Sequence, residues 1–172
     1  MNQLTIQERF DPASQRKYLM LFVDEQPLDT WLNRRCPEEE LGVLIPTLLT
    51  WLKDPEERQV VWGRLYALGS DSVAVPLLMS IDDVDLWFTV IVVEMQQTAT
   101  HILWSRIGIE WGEHIDMPYS IGKNVYWLEE VEQLEFNLQQ HQQVVHTFNQ
   151  LIQQEEVEGL SDDAAQRSSR FS

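Results

Sequence analysis

The run "LLMSIDDVDLWFTVIVVEM", Leu77 to Met95, decides the architecture. Its second half, Leu86 to Met95, is apolar at odd and even positions alike, which predicts a central strand covered on both faces. Its first half sets Asp82, Asp83 and Asp85 directly before that strand. Three uses of those aspartates compete: oxygen ligands for Mg²⁺ or Ca²⁺, a turn whose carboxylates cap backbone N–H groups, or an acidic contact surface. The glycine and spaced acceptors of a calcium loop are missing. No metal is therefore assigned, and the aspartates are read as a polar entry to the strand that also offers charge to a partner.

The neighbouring segments supply the rest of a sheet. "VAVPLLM" is extended and apolar, with Pro76 suiting an edge or a bulge. "QQTAT" joins the central strand to "HILWSRIGI", rich in β-branched and aromatic residues, and predicts a hairpin. The segment 110–125, "EWGEHIDMPYSIGKNV", has no period and two glycines, so it is expected as a long loop of the kind that often carries function. "EQLEF" provides a last strand. Nearer the start, "LTIQERF" and "KYLMLFV" predict a hairpin turning at Asp11-Pro12.

Between Leu28 and Leu68 a helical block is expected. "LDTWLNRR" has Leu28, Trp31 and Leu32 at helical spacing. "CPEEELGVLIPTLLTWL" starts as a helix, with Pro37 in its first turn and Glu38, Glu39 and Glu40 where the dipole favours anions, and breaks at Pro46. In "DPEERQVVWGRLYALG", Asp54 caps, Pro55 takes the first helical position, Glu57 closes a capping box and Gly69 ends the helix. From Asn137, capped with Gln140 at the box position, Leu138, Val144, Val145, Phe148, Leu151 and Ile152 line one side of a helix whose other side is glutamine-rich. The predicted fold is α+β: a mostly antiparallel β-sheet with a helical insertion after the second strand and a C-terminal helix packed on one face. Residues 1–153 form one globular domain, and residues 154–172 are expected to be a mobile acidic and polar tail.

The 172 residues carry a net charge of −16, unevenly distributed. Residues 1–70 hold 8 Lys/Arg against 11 Asp/Glu, a net of −3; residues 71–172 hold 4 against 17, a net of −13. Such a chain repels nucleic-acid phosphates and anionic lipid and attracts basic proteins, so neither nucleic acid nor a membrane is expected as partner. The single cysteine, Cys36, excludes an internal disulfide and a Cys-based zinc site. The opening residues lack the pattern of a signal peptide, and no apolar run is long enough to span a bilayer. A cytoplasmic protein is expected.

No phosphate loop, nucleophile elbow, HExxH or basic aromatic patch is present, so no catalytic residue and no cofactor is assigned. A hydrolase using the aspartates with His114 would need a bound divalent ion. His141, on the apolar side of the last helix, is expected as a hydrogen-bonded, half-buried histidine. Trp31, Trp51, Trp62, Trp87 and Trp104 are assigned to the core. Trp111 and Trp127 flank the long loop and are the expected exposed anchors.

The combination "LIPTLLTWL…EERQVVWGRLYAL…PLLMSIDDVDLWFTVIVVEM…THILWSRIGIEW" resembles a group of small bacterial proteins, some of which are similar to immunity proteins of polymorphic toxin or contact-dependent growth inhibition systems. Relatives in that group carry cysteines around the aspartate turn, where this chain has Ser80 and Trp87-Phe88. The resemblance implies a non-enzymatic inhibitor whose acidic face binds and occludes a cognate basic toxin domain, such as a nuclease. The expected contacts are Asp82, Asp83, Asp85, Glu110, Glu113, Asp116, Glu129 and Glu130, with Trp111 and Trp127 as apolar anchors. The alternative is an acidic adaptor or oligomeric scaffold using the glutamine-rich helix. The oligomeric state stays open.

Overall fold

A computed structural model describes the backbone of residues 1–113 and 115–170, with side chains described as far as residue 159. The chain is α+β. Strands β1 (Leu4–Asp11), β2 (Arg16–Val23) and the short β3 (Gln26–Pro27) form one antiparallel sheet in the order β1-β2-β3. The second sheet is six-stranded. Its path runs β4 (Leu44–Pro46), β5 (Val73–Ser80), β6 (Val90–Gln97), β7 (His101–Glu110) and β8 (Val125–Trp127), while β9 (Leu134–Asn137) pairs the other half of β7. All these pairings are antiparallel. One isolated parallel bridge, Asn2 to Phe136, ties the two sheets together.

β6 is the central strand that Leu77–Met95 predicts. Val90, Ile91, Val92, Val93 and Met95 are all buried, and β5 and β7 flank it. It begins at Val90, however, later than expected: residues 81–89 form a loop, within which Leu86 is buried while Trp87 and Phe88 are exposed. Trp87 is therefore not a core residue. Pro76 sits at the register shift between β5 and β6, so the ladder bulges where an N–H is missing.

The helical block of residues 28–68 is interrupted. α1 (Leu28–Arg35) and α2 (Pro55–Tyr66) form, but "CPEEELGVLIP" gives only a 3₁₀ turn at Pro37–Glu39 followed by β4. Glu40 and Gly42 take positive φ, which unwinds the chain after that turn and frees Leu44 to pair with Ser80. Asp29, buried in α1, is the junction between the sheets. Its carboxylate accepts from Arg9 of β1 at 2.8 and 3.0 Å and from the Leu44 N–H of β4 at 3.3 Å. The cap of α2 is half as expected. Asp54 accepts from the Glu57 N–H at 3.0 Å, but Glu57 turns inward instead of closing the box. It is only 4 % exposed, and it accepts from the Leu86 N–H at 2.7 Å.

α3 (Leu138–Arg170) buries His141, Val144 and Phe148 at helical spacing, and Asn137 caps it by accepting from the Gln140 N–H at 3.1 Å. The helix continues beyond residue 153, with residues 153–159 exposed. Among the described residues no helix is long and apolar enough to cross a membrane.

His141 is 3 % exposed, more deeply buried than expected, and its Nε2 accepts from Trp104 Nε1 at 3.2 Å. Burial lowers its pKa to about 4. The unfolded chain protonates this residue near pH 6.5 and the folded chain does not, so the unfolded state binds the extra proton between those values. The stability tied to His141 is complete above pH 6.5 and falls by up to about 3 kcal/mol as the pH drops to 4. Urea titrations across that window should show this slope in the parent. His141→Gln, which keeps an acceptor for Trp104, should flatten it.

Candidate functional site: an acidic and aromatic edge

The acidic residues expected from the sequence fall on two segments, the 81–89 loop and the residues around β8. Asp82 and Asp83 are exposed in the 81–89 loop, and Asp85 is half-buried there. Ser80 Oγ accepts from the Asp82 N–H at 3.3 Å, and Asp85 accepts from the Trp87 N–H at 3.0 Å, so turn capping by an aspartate holds for Asp85. Asp85 lies beside Asp54 and the buried Glu57. Desolvation, with added repulsion from both aspartates, lifts the Glu57 pKa above its ordinary value, and the hydrogen bond from Leu86 opposes the rise. Asp85 thus sits with the first turn of α2.

The second segment lies around β8. Glu129 and Glu130 are exposed in the turn after it. Cys36 Sγ approaches Glu130 Oε2 at 3.8 Å, and Arg35 bonds Glu132 at 2.7 Å, so the segment leaving α1 runs against the 130–132 turn. That contact brings in Glu38 and Glu39. Repulsion from Glu39 first, then desolvation and the charges of Glu130, Glu129 and Glu38, raises the pKa of the Tyr126 phenol. Four carboxylates thus act on one exposed phenol. Beside it, Glu39, Trp111, Asn124, Val125 and Tyr126 line an open groove of about 650 Å³. Trp111 is 78 % exposed and Tyr126 52 %.

The remaining expected residues have other occupations. Glu110 holds the 111–124 loop: its carboxylate oxygens accept from the Gly112 N–H at 3.3 Å and the Gly122 N–H at 2.8 Å. Trp127 is half-buried, and the Arg106 guanidinium lies 4.1 Å over its ring, so that face is not a bare anchor. Arg106 also donates to Glu94 at 2.9 and 3.1 Å and is the first cause of that carboxyl's lowered pKa. Glu113 and Asp116 are exposed, with Asp116 at φ +60 and its carbonyl accepting from the Ser120 N–H at 3.0 Å. His114 lies outside the described residues.

Arg64 in α2 was given no role by the sequence, and it pins the far side of this loop. Its guanidinium donates to Ala74 O (2.9 Å), Ile121 O (2.5 Å) and Tyr119 O (3.1 Å). Desolvation lowers its pKa, and the Glu110 charge counters the effect. Two charged residues from opposite sides thus fix the loop that presents Trp111.

Cys36, Glu38 and Glu130 place one ligand atom each within 4.8 Å of one another. The thiol, however, is fully buried, and burial together with the Glu130 and Glu38 charges pushes its pKa up to about 11. A thiol held protonated at neutral pH is a poor nucleophile.

Signals for Glu38, Glu39 and Tyr126 were present but ambiguous. The run of glutamates after Pro37 carries the same composition as a helix first turn, and only the fold places it opposite residues 126–130. No family model, no curated protein and no solved structure matches the chain.

Proposed function

We propose that this chain is an immunity-type protein that binds a cognate basic bacterial toxin domain and neutralises it by occlusion. One observation carries the reading: Glu38, Glu39, Glu129 and Glu130 gather about Tyr126, next to a groove that exposes Trp111. Interfaces draw their binding energy from a few desolvated aromatic and arginine contacts, while charge of one sign guides the partner's approach. An aromatic groove bordered by Glu39, with three further carboxylates acting on Tyr126, suits a partner rich in arginine. The net charge of −16 extends the attraction over about a Debye length of 8 Å at physiological salt. The reading assigns no catalytic group and no cofactor.

Expression of each gene that adjoins this one, with and without this chain, tests the proposal. Growth arrest that the chain relieves, together with recovery of a stoichiometric complex, is the expected result. Neighbouring products that are all harmless alone, or arrest that the chain leaves unchanged, contradict it. In that case the exposed continuation of α3 favours an acidic adaptor instead.

A further inference from the structure

β8 is the terminal strand of its path through the six-stranded sheet, so one of its edges faces away from β7. The ladder to β7 is framed by the Trp111 N–H donating to Asn124 O at 2.8 Å and the Leu128 N–H donating to Ile107 O at 2.9 Å. Alternation along an antiparallel pair then turns the N–H and C=O of Tyr126 toward Ile109. The same alternation turns those of Val125 and Trp127 outward. Among the described residues, none bonds to these outward groups. An open edge of this kind is a template for another strand.

The two faces beside that edge differ in what they accept. Tyr126 shares its face with Trp111 and Asn124, and Glu39 borders the same groove. A residue of an added antiparallel strand opposite Tyr126 would form a non-hydrogen-bonded pair, with Cα atoms about 4.5 Å apart and side chains in close contact. Within the chain, indole rings take arginine: Arg35 lies 3.7 Å over Trp31 and Arg16 lies 4.3 Å over Trp51. Among the described residues no cation lies over Trp111 or Tyr126. On the opposite face Trp127 already carries Arg106, which would repel a second cation.

We propose that the outer edge of β8 accepts an extended segment of the basic partner as an added antiparallel strand, with arginines on the Tyr126 and Trp111 face alternating with apolar residues on the Trp127 face. This deepens the basic-partner reading and rests on it. Backbone pairing supplies the affinity, and the two unlike faces supply the register.

Amide hydrogen exchange on the full chain tests it with a defined probe, a seven-residue end-blocked peptide alternating valine and arginine. In the free protein the Val125 and Trp127 amides should exchange about tenfold or more faster than that of Tyr126. The peptide should slow both by about tenfold or more. The same peptide N-methylated at its sheet-facing amides, with its charge unchanged, should slow neither. Slow exchange of Val125 and Trp127 in the free protein overturns the inference, as does equal protection by both peptides. If both bind equally without slowing those amides, strand addition is wrong while a basic partner still stands. If neither binds, the inference fails, and relief of toxin arrest decides the function separately.

Discussion

Replacing Gly108 with alanine is expected to detach β8 and to lower stability by about 4 kcal/mol, roughly 10 °C in Tm for a chain of this length. A Cβ at this position would stand 2.5 Å from Tyr126 O, 2.5 Å from Val125 Cγ1 and 2.9 Å from Trp127 Cε3. One of those atoms is backbone, so a rotamer change cannot relieve the clash, and the strand itself must move. Moving it gives up the pairing of residues 125–127 with residues 108–110 and unstacks Trp127 from Arg106. Thermal melts measure the stability loss. Loss of exchange protection at Tyr126, with β5 and β6 amides still protected, would show that the damage is local. A Gly108→Ala protein with unchanged Tm and protection would mean that β8 does not pair as described.

Arg64→Ala is expected to cost about 4 kcal/mol and to release the loop that carries Trp111. The guanidinium satisfies three carbonyls from β5 and the loop, and its removal leaves those acceptors without a donor in a partly desolvated space. Arg64→Lys should recover less than half of the loss, because an ammonium cannot reproduce a planar fork directed at three acceptors. Urea denaturation gives the free energy. Limited proteolysis reports the loop: cleavage between residues 111 and 124 should accelerate in Arg64→Ala under conditions where the parent resists. Equal cleavage of both proteins would assign Arg64 to global stability alone. Gly122 reinforces the same contact. Its φ is +100, and a Cβ there would stand 2.7 Å from the Ala74 Cβ, which leaves no room for a side chain.

The fold was largely legible where local pattern and tertiary burial agree. The doubly apolar run of Val90 to Met95 became the central strand, and Asp54 and Asn137 cap the helices they precede. Local chemistry misled where two structures share a composition. "CPEEE" fits a helix first turn as well as a 3₁₀ turn, and only the positive φ at Glu40 and Gly42 diverts it into β4. Glu57 fits a capping box, but its inward turn depends on the Leu86 N–H, 29 residues away. The same limit governs the site. Trp111, Glu129 and Glu130 were legible as an aromatic and acidic flank of the long loop. Their gathering with Glu38, Glu39 and Tyr126 depends on contacts across roughly ninety residues, such as Arg35 with Glu132, which no period encodes. Glu110 and Arg64 are a further case: the sequence offered Glu110 as a partner contact and gave Arg64 no role, and together they hold the loop in place.

The most direct test of the central claim is the affinity of the chain for the toxin domain whose growth arrest it relieves, compared between two sets of charge reversal. Glu38, Glu39, Glu129 and Glu130 changed together to lysine should weaken binding by about a hundredfold or more. Asp82, Asp83 and Asp85 changed together to lysine should weaken it by less than about threefold at physiological salt, since none of them lines the groove or is among the charges acting on Tyr126. Each set leaves the hydrogen bonds of β8 to β7 in place. A larger loss from the aspartate set, or no loss from the glutamate set, would contradict the assignment of the β8 edge as the docking surface.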